Sequence, residues 1–395
     1  MITSKAIRTQ VSESLEELIE IRRHLHANPE LSFQEKETSA FIASRLDALG
    51  IPYEKDVGGY GIIAHVGKPG GKLVALRGDM DALPITEKND VAYVSKNKGV
   101  MHACGHDVHT TCLLGAAELL KAREGELSGQ VRLLFQPAEE RIPGGASLMI
   151  KDGALKNPDV QLIFGQHVFP DMEVGHVGFK QGIYMASADE LYITVKGKGG
   201  HAALPHKGID PVLVSSHLIV ALQQMVSRRA QADIPTVLSI GKVQANGATN
   251  IIPDEVVMEG TMRTLDETWR NDMHGHIEKL VHGLCESMGA EADLEIRKGY
   301  PSLVNDPGLT SWAKEKAIDL LGEDKVHDLP VRMTAEDFAY FAQEIPACFY
   351  RLGTSNAAEK IGAPLHTSTF NIDEKALEIG TSLMSTLAIK ALEER

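Results

Sequence analysis

The first half of the chain alternates short aliphatic runs with segments whose apolar residues recur every three or four positions. The aliphatic runs predict buried strands, and the helical spacing predicts amphipathic helices between them. This alternation is typical of an α/β domain with a mostly parallel central sheet. The predicted strands are 61–66, 73–77, 131–135 and 162–164, and the predicted helices are 11–26, 35–49 and 108–122.

A different order of elements is predicted from about residue 189 onward. It reads strand, helix, strand, strand, helix, strand, which is the β-α-β-β-α-β order of the ferredoxin-like unit. We therefore expect a small domain, residues 187–298, inserted between two segments of the larger domain, residues 1–186 and 299–395. The inserted elements are strands 191–195, 236–243, 256–265 and 293–298 and helices 211–228 and 267–288, followed by helices 309–321, 335–343 and 376–392 and strand 348–353.

Acidic and histidine side chains follow four of the predicted strands of the larger domain. In open α/β sheets, functional sites form beyond the carboxyl ends of the strands. We therefore expect these side chains to meet at one edge of the sheet. Asp79 and Asp81 follow the strand at 73–77, Glu139 and Glu140 follow 131–135, His167 follows 162–164, and His366 lies in the loop after 348–353.

A segment rich in histidine, residues 102–109, precedes the helix predicted at 108–122. Residues two apart on an extended backbone point the same way, so Cys104 and His106 are placed to hold one ion cluster, and Gly105 permits a tight turn between them. Thiolate, imidazole and carboxylate groups together favour Zn²⁺ or a similar borderline ion, because Ca²⁺ and Mg²⁺ prefer oxygen. The segment therefore predicts a transition-metal site.

Each of these residues has an ordinary structural explanation when taken alone. A single histidine such as His167 or His366 usually lies on the surface or is hydrogen-bonded in the core. The Glu139–Glu140 pair can form the solvated first turn of a helix, and Cys104 can be a small buried apolar residue. Their expected convergence on one sheet edge is what favours the metal site.

Composition excludes several classes of partner. The 395 residues include 40 Lys and Arg against 54 Asp and Glu, a formal net charge of −14, so nucleic acid and anionic lipid are not expected as partners. No apolar run reaches the roughly 18 residues that a membrane helix needs, and the start lacks the pattern of a signal peptide. The four cysteines are too sparse for a disulfide framework, and we expect a cytoplasmic protein.

Seven short motifs occur in order along nearly the whole chain. In this combination they resemble the metallopeptidase family of aminoacylases and carboxypeptidases, specifically its hippurate hydrolases and auxin-conjugate amidohydrolases. The motifs are RRHLHANPE (22–30), RGDMDALP (77–84), HACGHDVH (102–109), QPAEE (136–140), GHAA (200–203), TNIIP (249–253) and AEDF (335–338).

The resemblance implies a centre of two divalent metal ions, which could be zinc, manganese, cobalt or nickel. Glu139 matches the family's general base, and Asp81 matches an aspartate that orients a metal ligand. Asp79 stands where more distant relatives carry a metal-binding histidine, and Cys104 supplies a replacement ligand. The implied ligands are Cys104, His106, Glu140, His167 and His366.

The resemblance also implies that the inserted domain is a lid that carries the contacts of a homodimer. His201 matches a histidine that polarises the scissile carbonyl, and Asn250 and Arg263 resemble groups that hold a substrate carboxylate. Without the resemblance, these residues would be explained as a histidine at a glycine turn, a turn-capping asparagine and a solvated strand arginine.

The implied activity is hydrolysis of the amide bond of small-molecule N-acyl amino acids. A carboxypeptidase or dipeptidase with the same metal centre is the first alternative. A non-catalytic binding protein on this fold is the second, and it would be expected to have lost Glu139 or a ligand. Residues 141–143 and Thr334 stand where the family has glycine, and these departures concern the substrate pocket rather than the chemistry.

Overall fold

The structure is a computed structural model that describes residues 2–395. The chain folds as two compact units. The first unit comprises the residues up to Gly182 together with Val304–Pro330 and Asp337–Arg395. The second unit comprises Ile183–Leu303 and Val331–Glu336. The second unit is therefore an insertion, to which one short later segment of the chain also belongs.

Most of the predicted helices and strands are present, with shifted ends. The helices are α1 Ser4–Glu13, α2 Leu15–Ala27, α3 Lys36–Leu49, α4 His106–Ala122, α5 Gly145–Lys151, α6 Pro211–Leu222, α7 Glu267–Ser287, α8 Pro307–Leu321, α9 Ala339–Glu344 and α10 Ala376–Glu394. The strands are β1 Tyr53–Val57, β2 Gly61–Gly67, β3 Leu73–Asp79, β4 Gln130–Gln136, β5 Leu162–Glu173, β6 Val177–Phe179, β7 Gly182–Met185, β8 Asp189–Lys196, β9 Gly200–His201, β10 Thr236–Ala245, β11 Ile251–Ile252, β12 Glu255–Thr264, β13 Glu291–Lys298, β14 Leu303–Asn305, β15 Val326–Asp328 and β16 Ala347–Ser355.

The first unit is built on an eight-stranded sheet in the order β1-β2-β4-β3-β5-β16-β6-β15. The central strands β4, β3, β5 and β16 run parallel to their neighbours in this group. Every residue of β3 is buried, and the strand begins with the aliphatic run at 73–76, as expected of a strand covered on both faces. Helices α4 and α10 pack against each other and against β3. The mostly parallel sheet predicted from the sequence is confirmed.

The second unit has its own antiparallel sheet, in the order β10-β12-β8-β13. Burial alternates along β8, so one face of this sheet packs on a core while the other is more open. That core includes Leu191 and Ile193 from β8, Leu218 from α6, and Ile277 and Val281 from α7. Among residues 2–395, no helix is both long and apolar enough to cross a membrane.

Three predicted helices differ from the observed ones. The helix predicted at 11–26 is two helices, α1 and α2, separated at Ser14. The helix predicted at 211–228 ends at Leu222 and is followed by a π-helical turn, Met225–Arg229. The helix predicted at 335–343 begins only at Ala339, because Asp337 is buried and hydrogen-bonded to other elements. In this last case tertiary contacts override helical propensity.

Candidate metal centre

The polar residues that follow the central strands converge as the sheet order requires. Strands β3 and β4 are parallel with Asp79 opposite Gln136, so the residues after them leave at the same edge. His167 is different, because it lies within β5 rather than after it. Three groups of potential ligand atoms, each within 4.8 Å of one another, share members and form one cluster: Cys104, His106 and His167; His106, Glu139 and Glu140; and Cys104, Glu140 and His366.

The turn before α4 brings Cys104 and His106 together by a different route from the one expected. Gly105 has φ 81°, in the left-handed region, and a Cβ there would lie 2.5 Å from Val168 Cγ2. His106 is the first residue of α4, so the extended backbone predicted for this pair is wrong. The left-handed turn at Gly105 leads directly into α4 and places both side chains at the same site.

The thiol of Cys104 lies between two histidines. Its Sγ is 3.4 Å from His167 Nε2 and 3.3 Å from His366 Nε2. His366 Nε2 is also 3.2 Å from Glu140 Oε1. Cys104 and His167 are buried, whereas the His366 side chain is 53% exposed, so the cluster is open on the side of His366.

In two of the imidazoles, Nδ1 forms a hydrogen bond that orients Nε2 toward the cluster. His167 Nδ1 donates to the carbonyl oxygen of Val168 at 2.8 Å, which leaves the Nε2 lone pair facing Cys104. His106 Nδ1 donates to Asp81 Oδ1 at 3.1 Å. His106 Nε2 is buried and has no hydrogen-bond partner among residues 2–395. Metal-binding histidines typically donate their other N–H in this way, so the donor set fits borderline divalent cations.

His109, one helical turn after His106, does not have a free nitrogen. The amide of Val168 donates to His109 Nε2 at 2.9 Å, and His109 Nδ1 donates to Asp79 Oδ1 at 2.5 Å. Asp79 also forms a buried ion pair with Arg77 at 2.6 Å. These contacts make Asp79 and His109 a structural support for the candidate ligands, a role that the sequence did not indicate for His109.

Negative charge accumulates at the cluster. Burial alone would lower the pKa of His106, but the carboxylates of Asp79, Asp81 and Glu140 raise it to about 10. Burial and the neighbouring glutamates raise the pKa of the Cys104 thiol well above its usual value. A site with this charge favours cations, because a cation stabilises the thiolate and the carboxylates together.

Two buried carboxylates hold the backbone of the segment 138–140. Asp81 accepts from the amides of Glu139 and Glu140, each at 3.0 Å, one with each oxygen. Glu35 accepts from the amide of Ala138 at 2.8 Å. Ala138 has φ 51°, a backbone conformation that residues other than glycine rarely adopt. Glu35 was not predicted as a site residue, because nothing in the sequence connects it to a segment about 100 positions later.

The predicted site residues of the insertion lie in the second unit. His201 is in β9, which pairs with β11. The main-chain carbonyl oxygen of Asn250 accepts from the amide of Ala202 at 3.0 Å, so His201 and Asn250 are neighbours. Both side chains are exposed. His201 Nδ1 accepts from the amide of Ala203 at 3.1 Å, which places the proton of the neutral ring on Nε2. The guanidinium of Arg263, in β12, donates to neutral oxygens of neighbouring residues.

Known proteins of similar sequence and structure place this arrangement in a family. The model of peptidase family M20/M25/M40 matches residues 75–390. An N-acetyl-L-cysteine deacetylase of Bacillus subtilis is 42% identical over 362 residues, 91% of this chain and 85% of that protein. The Arabidopsis thaliana IAA-amino acid hydrolase ILR1-like 5 is 40% identical over 380 residues, 95% of this chain and 86% of that protein.

A solved structure from the same group has the same fold throughout. The YXEP protein of Bacillus subtilis, described as a dinuclear metal-binding peptidase of the M20 family, is 36% identical. It superposes with a TM-score of 0.80 and covers 99% of this chain and 100% of that one. The chain therefore belongs to peptidase family M20/M25/M40. Within this family it is a metallo-amidohydrolase, as the sequence resemblance predicted.

Proposed function

We propose that the protein hydrolyses the amide bond of N-acyl amino acids, of the hippurate or N-acetyl kind, to a carboxylic acid and a free amino acid. The observation that carries the proposal is the position of Glu139, whose carboxylate lies within 4.8 Å of ligand atoms of His106 and Glu140. A carboxylate beside the ligands can serve as a base instead of binding metal. The two relatives named for N-acetyl-L-cysteine and IAA-amino acids support this substrate class.

The proposed ligands are Cys104, His106, Glu140, His167 and His366. Two divalent cations in such a site supply Lewis acidity, which polarises a carbonyl and lowers the pKa of water. Zinc, manganese, cobalt and nickel all fit, and the thiolate of Cys104 favours zinc among them. Asp81 holds His106 in the tautomer that presents Nε2. Glu139 accepts the proton of the attacking water and delivers it to the departing amine.

We assign substrate binding to three residues of the second unit. His201 presents an Nε2–H donor, because its Nδ1 accepts from a backbone amide, and a donor of this kind can stabilise the developing oxyanion. Arg263 and Asn250 are assigned to the substrate carboxylate. Arg263 suits this role because its guanidinium donates to the neutral oxygens of Thr261 and Met262 rather than to a carboxylate.

We expect Arg263→Ala to abolish the preference for an acid substrate over its neutral analogue. Hippurate should be cleaved far faster than its carboxamide by the unmodified enzyme. In the variant, kcat/KM for hippurate should fall by about 30- to 5,000-fold, a loss of transition-state stabilisation on the order of 2–5 kcal/mol, because the substrate carboxylate is left poorly paired. The rate for the carboxamide should change little. Steady-state kinetics on both substrates measures this.

The exposed Arg297→Ala is a suitable control, because it removes a strand arginine of the same unit that is paired with Glu295. It should leave both rates unchanged. Equal rates for hippurate and its carboxamide in the unmodified enzyme would refute the assignment of Arg263. The substrate class would then be that of a general amidase or peptidase with the same metal ligands.

We further propose that the inserted domain, residues 187–298, is a ferredoxin-like lid and that it dimerises with a second copy. Its strand order, β13-β8-β12-β10, is that of the ferredoxin-like fold, and it leaves β10 at an edge of the sheet. Several apolar side chains of β10 and α6 are exposed. An edge strand beside apolar surface favours pairing between copies. The exposed apolar side chains are Val237 and Val243 from β10 and Val212, Leu213 and Val220 from α6.

Val220→Glu should convert the proposed homodimer to a monomer. The Val220 side chain is 73% exposed on α6, so the charge costs little in an isolated copy but would be buried in an interface that covers this helix. Sedimentation velocity measures the change in mass. Val94→Glu, at an exposed valine of the first unit, is the control and should remain dimeric. A monomeric unmodified protein, or a dimeric Val220→Glu variant, would contradict this arrangement.

The four cysteines are all free thiols and all buried, which fits the cytoplasmic location that we propose.

A further inference from the structure

Asp337 is a fully buried carboxylate just before α9 that binds three separate elements. It accepts from Arg77 Nη2 of β3 at 2.9 Å. Gln136 Nε2, at the end of β4, lies 2.8 Å from each of its oxygens. The amide of Ala146, in the first turn of α5, donates to it at 3.0 Å. Asp337 therefore fixes both ends of the chain segment 136–146, which contains Glu139 and Glu140.

The same residue contacts Glu139 directly. The backbone amide of Asp337 lies 3.4 Å from Glu139 Oε1 and donates to it. The amide of Glu139 itself is held by Asp81. The side chain of Glu139 is thus restrained by Asp337 and its backbone by Asp81. The position of the Asp337 amide in turn depends on the contacts that the Asp337 carboxylate makes.

The contacts of Asp337 are also linked to the structural support for the candidate ligands. Arg77 donates to Asp337, to Gln136 Oε1 at 2.8 Å and to Asp79 at 2.6 Å. Arg77 is fully buried, so its charge is balanced by carboxylates rather than by water. A displacement of Asp337 is therefore opposed by a connected network, which makes it a rigid point of attachment for Glu139.

We propose that Asp337 is a positioning residue for Glu139, one that holds the Glu139 carboxylate in the orientation needed for proton transfer. This inference rests on the proposed function, because it requires Glu139 to be the base. General acid–base catalysis needs the carboxylate within hydrogen-bond reach of the proton it transfers. A misplacement of about 1 Å can reduce a rate by about 100-fold.

The test is Asp337→Asn, which has nearly the same shape but offers one accepting oxygen to Arg77, Gln136 and Ala146 together. We expect kcat to fall by about 10- to 100-fold, with KM and bound metal unchanged. The loss should be larger for an amide than for the matching ester, because the departing amine requires the proton that Glu139 delivers. A residue with only a structural role would not change this ratio of amide to ester rates.

Gln136→Leu provides a second measurement if Asp337→Asn does not fold, because it removes two hydrogen bonds to Asp337 while leaving Asp337 and Glu139 intact. It should reduce kcat in the same sense and by less. Asp328→Asn is the control for loss of a carboxylate, since Asp328 is exposed and pairs with Lys314. It should retain full activity and the unmodified ratio of amide to ester rates.

The possible outcomes separate this inference from the proposed function. Substantial turnover in Glu139→Gln would refute the function assigned to Glu139. An inactive Glu139→Gln together with normal kcat in Asp337→Asn would leave that function standing and overturn the role of Asp337. Loss of metal, a rise in KM alone, or an unchanged ratio of amide to ester rates in the folded variants would likewise overturn it.

Discussion

Glu139→Gln should lower kcat by about 10²- to 10⁴-fold without loss of bound metal, because glutamine cannot accept the proton that the proposed base transfers. The backbone amide of Glu139 is held by Asp81, and this contact does not depend on the side chain at position 139. The proposed ligands are also untouched by the substitution. Steady-state kinetics with elemental analysis of the same preparation measures both parts of the expectation.

Glu140→Gln is the matched comparison, since it makes the same change one position later in a side chain assigned to metal binding. Its carboxylate contacts His366, and it should lose metal as well as activity. Near-normal turnover in Glu139→Gln, or loss of metal there equal to that in Glu140→Gln, would contradict the assignment of Glu139 as the base.

Cys104→Ala should weaken metal binding by at least about 100-fold, because it removes the thiolate that lies between His167 and His366. The occupancy measured after dialysis against a weak chelator should fall from two ions per chain toward one or none. Activity should return in part at high metal concentration, since Glu139 and the remaining ligands are intact.

Cys285→Ala is the control for loss of a buried thiol. Cys285 lies in α7 of the second unit, where it packs in the core, and among residues 2–395 it is not part of any potential ligand group. It should retain full metal occupancy. Two tightly bound ions in Cys104→Ala would show that the thiol is a packing residue and that the centre is formed by imidazole and carboxylate groups alone.

The strand ends were the most predictable part of the site. Strand β3 is buried along its whole length, so its aliphatic run is distinct in the sequence, and the polar residues after it mark the edge of the sheet. The short outer strands β6 and β15 were not predicted. Each has only three residues, and their positions depend on pairing with each other and with β16 rather than on local pattern.

The roles of neighbouring histidines could not be predicted from spacing. His106 and His109 lie in one motif, and each has a nitrogen within 4.8 Å of a carboxylate oxygen of Asp79. The two histidines differ in their Nε2 atoms. The amide of Val168 donates to Nε2 of His109, whereas Nε2 of His106 has no hydrogen-bond partner among residues 2–395. Val168 comes from β5, and only the folded sheet brings it to α4. For the same reason, the contacts of Glu35 and Asp337 with the 136–146 segment had no signal in the sequence.

The carboxylates of Asp81 and Glu35 engage the backbone N–H groups around Glu139, the proposed base. The three successive amides of Ala138, Glu139 and Glu140 all donate to these carboxylates. Many hydrolases stabilise the oxyanion with backbone N–H groups next to a catalytic residue. Here those three donors are already engaged, so under the proposed mechanism they do not stabilise the negative charge on the carbonyl oxygen, and that role belongs to other groups of the site.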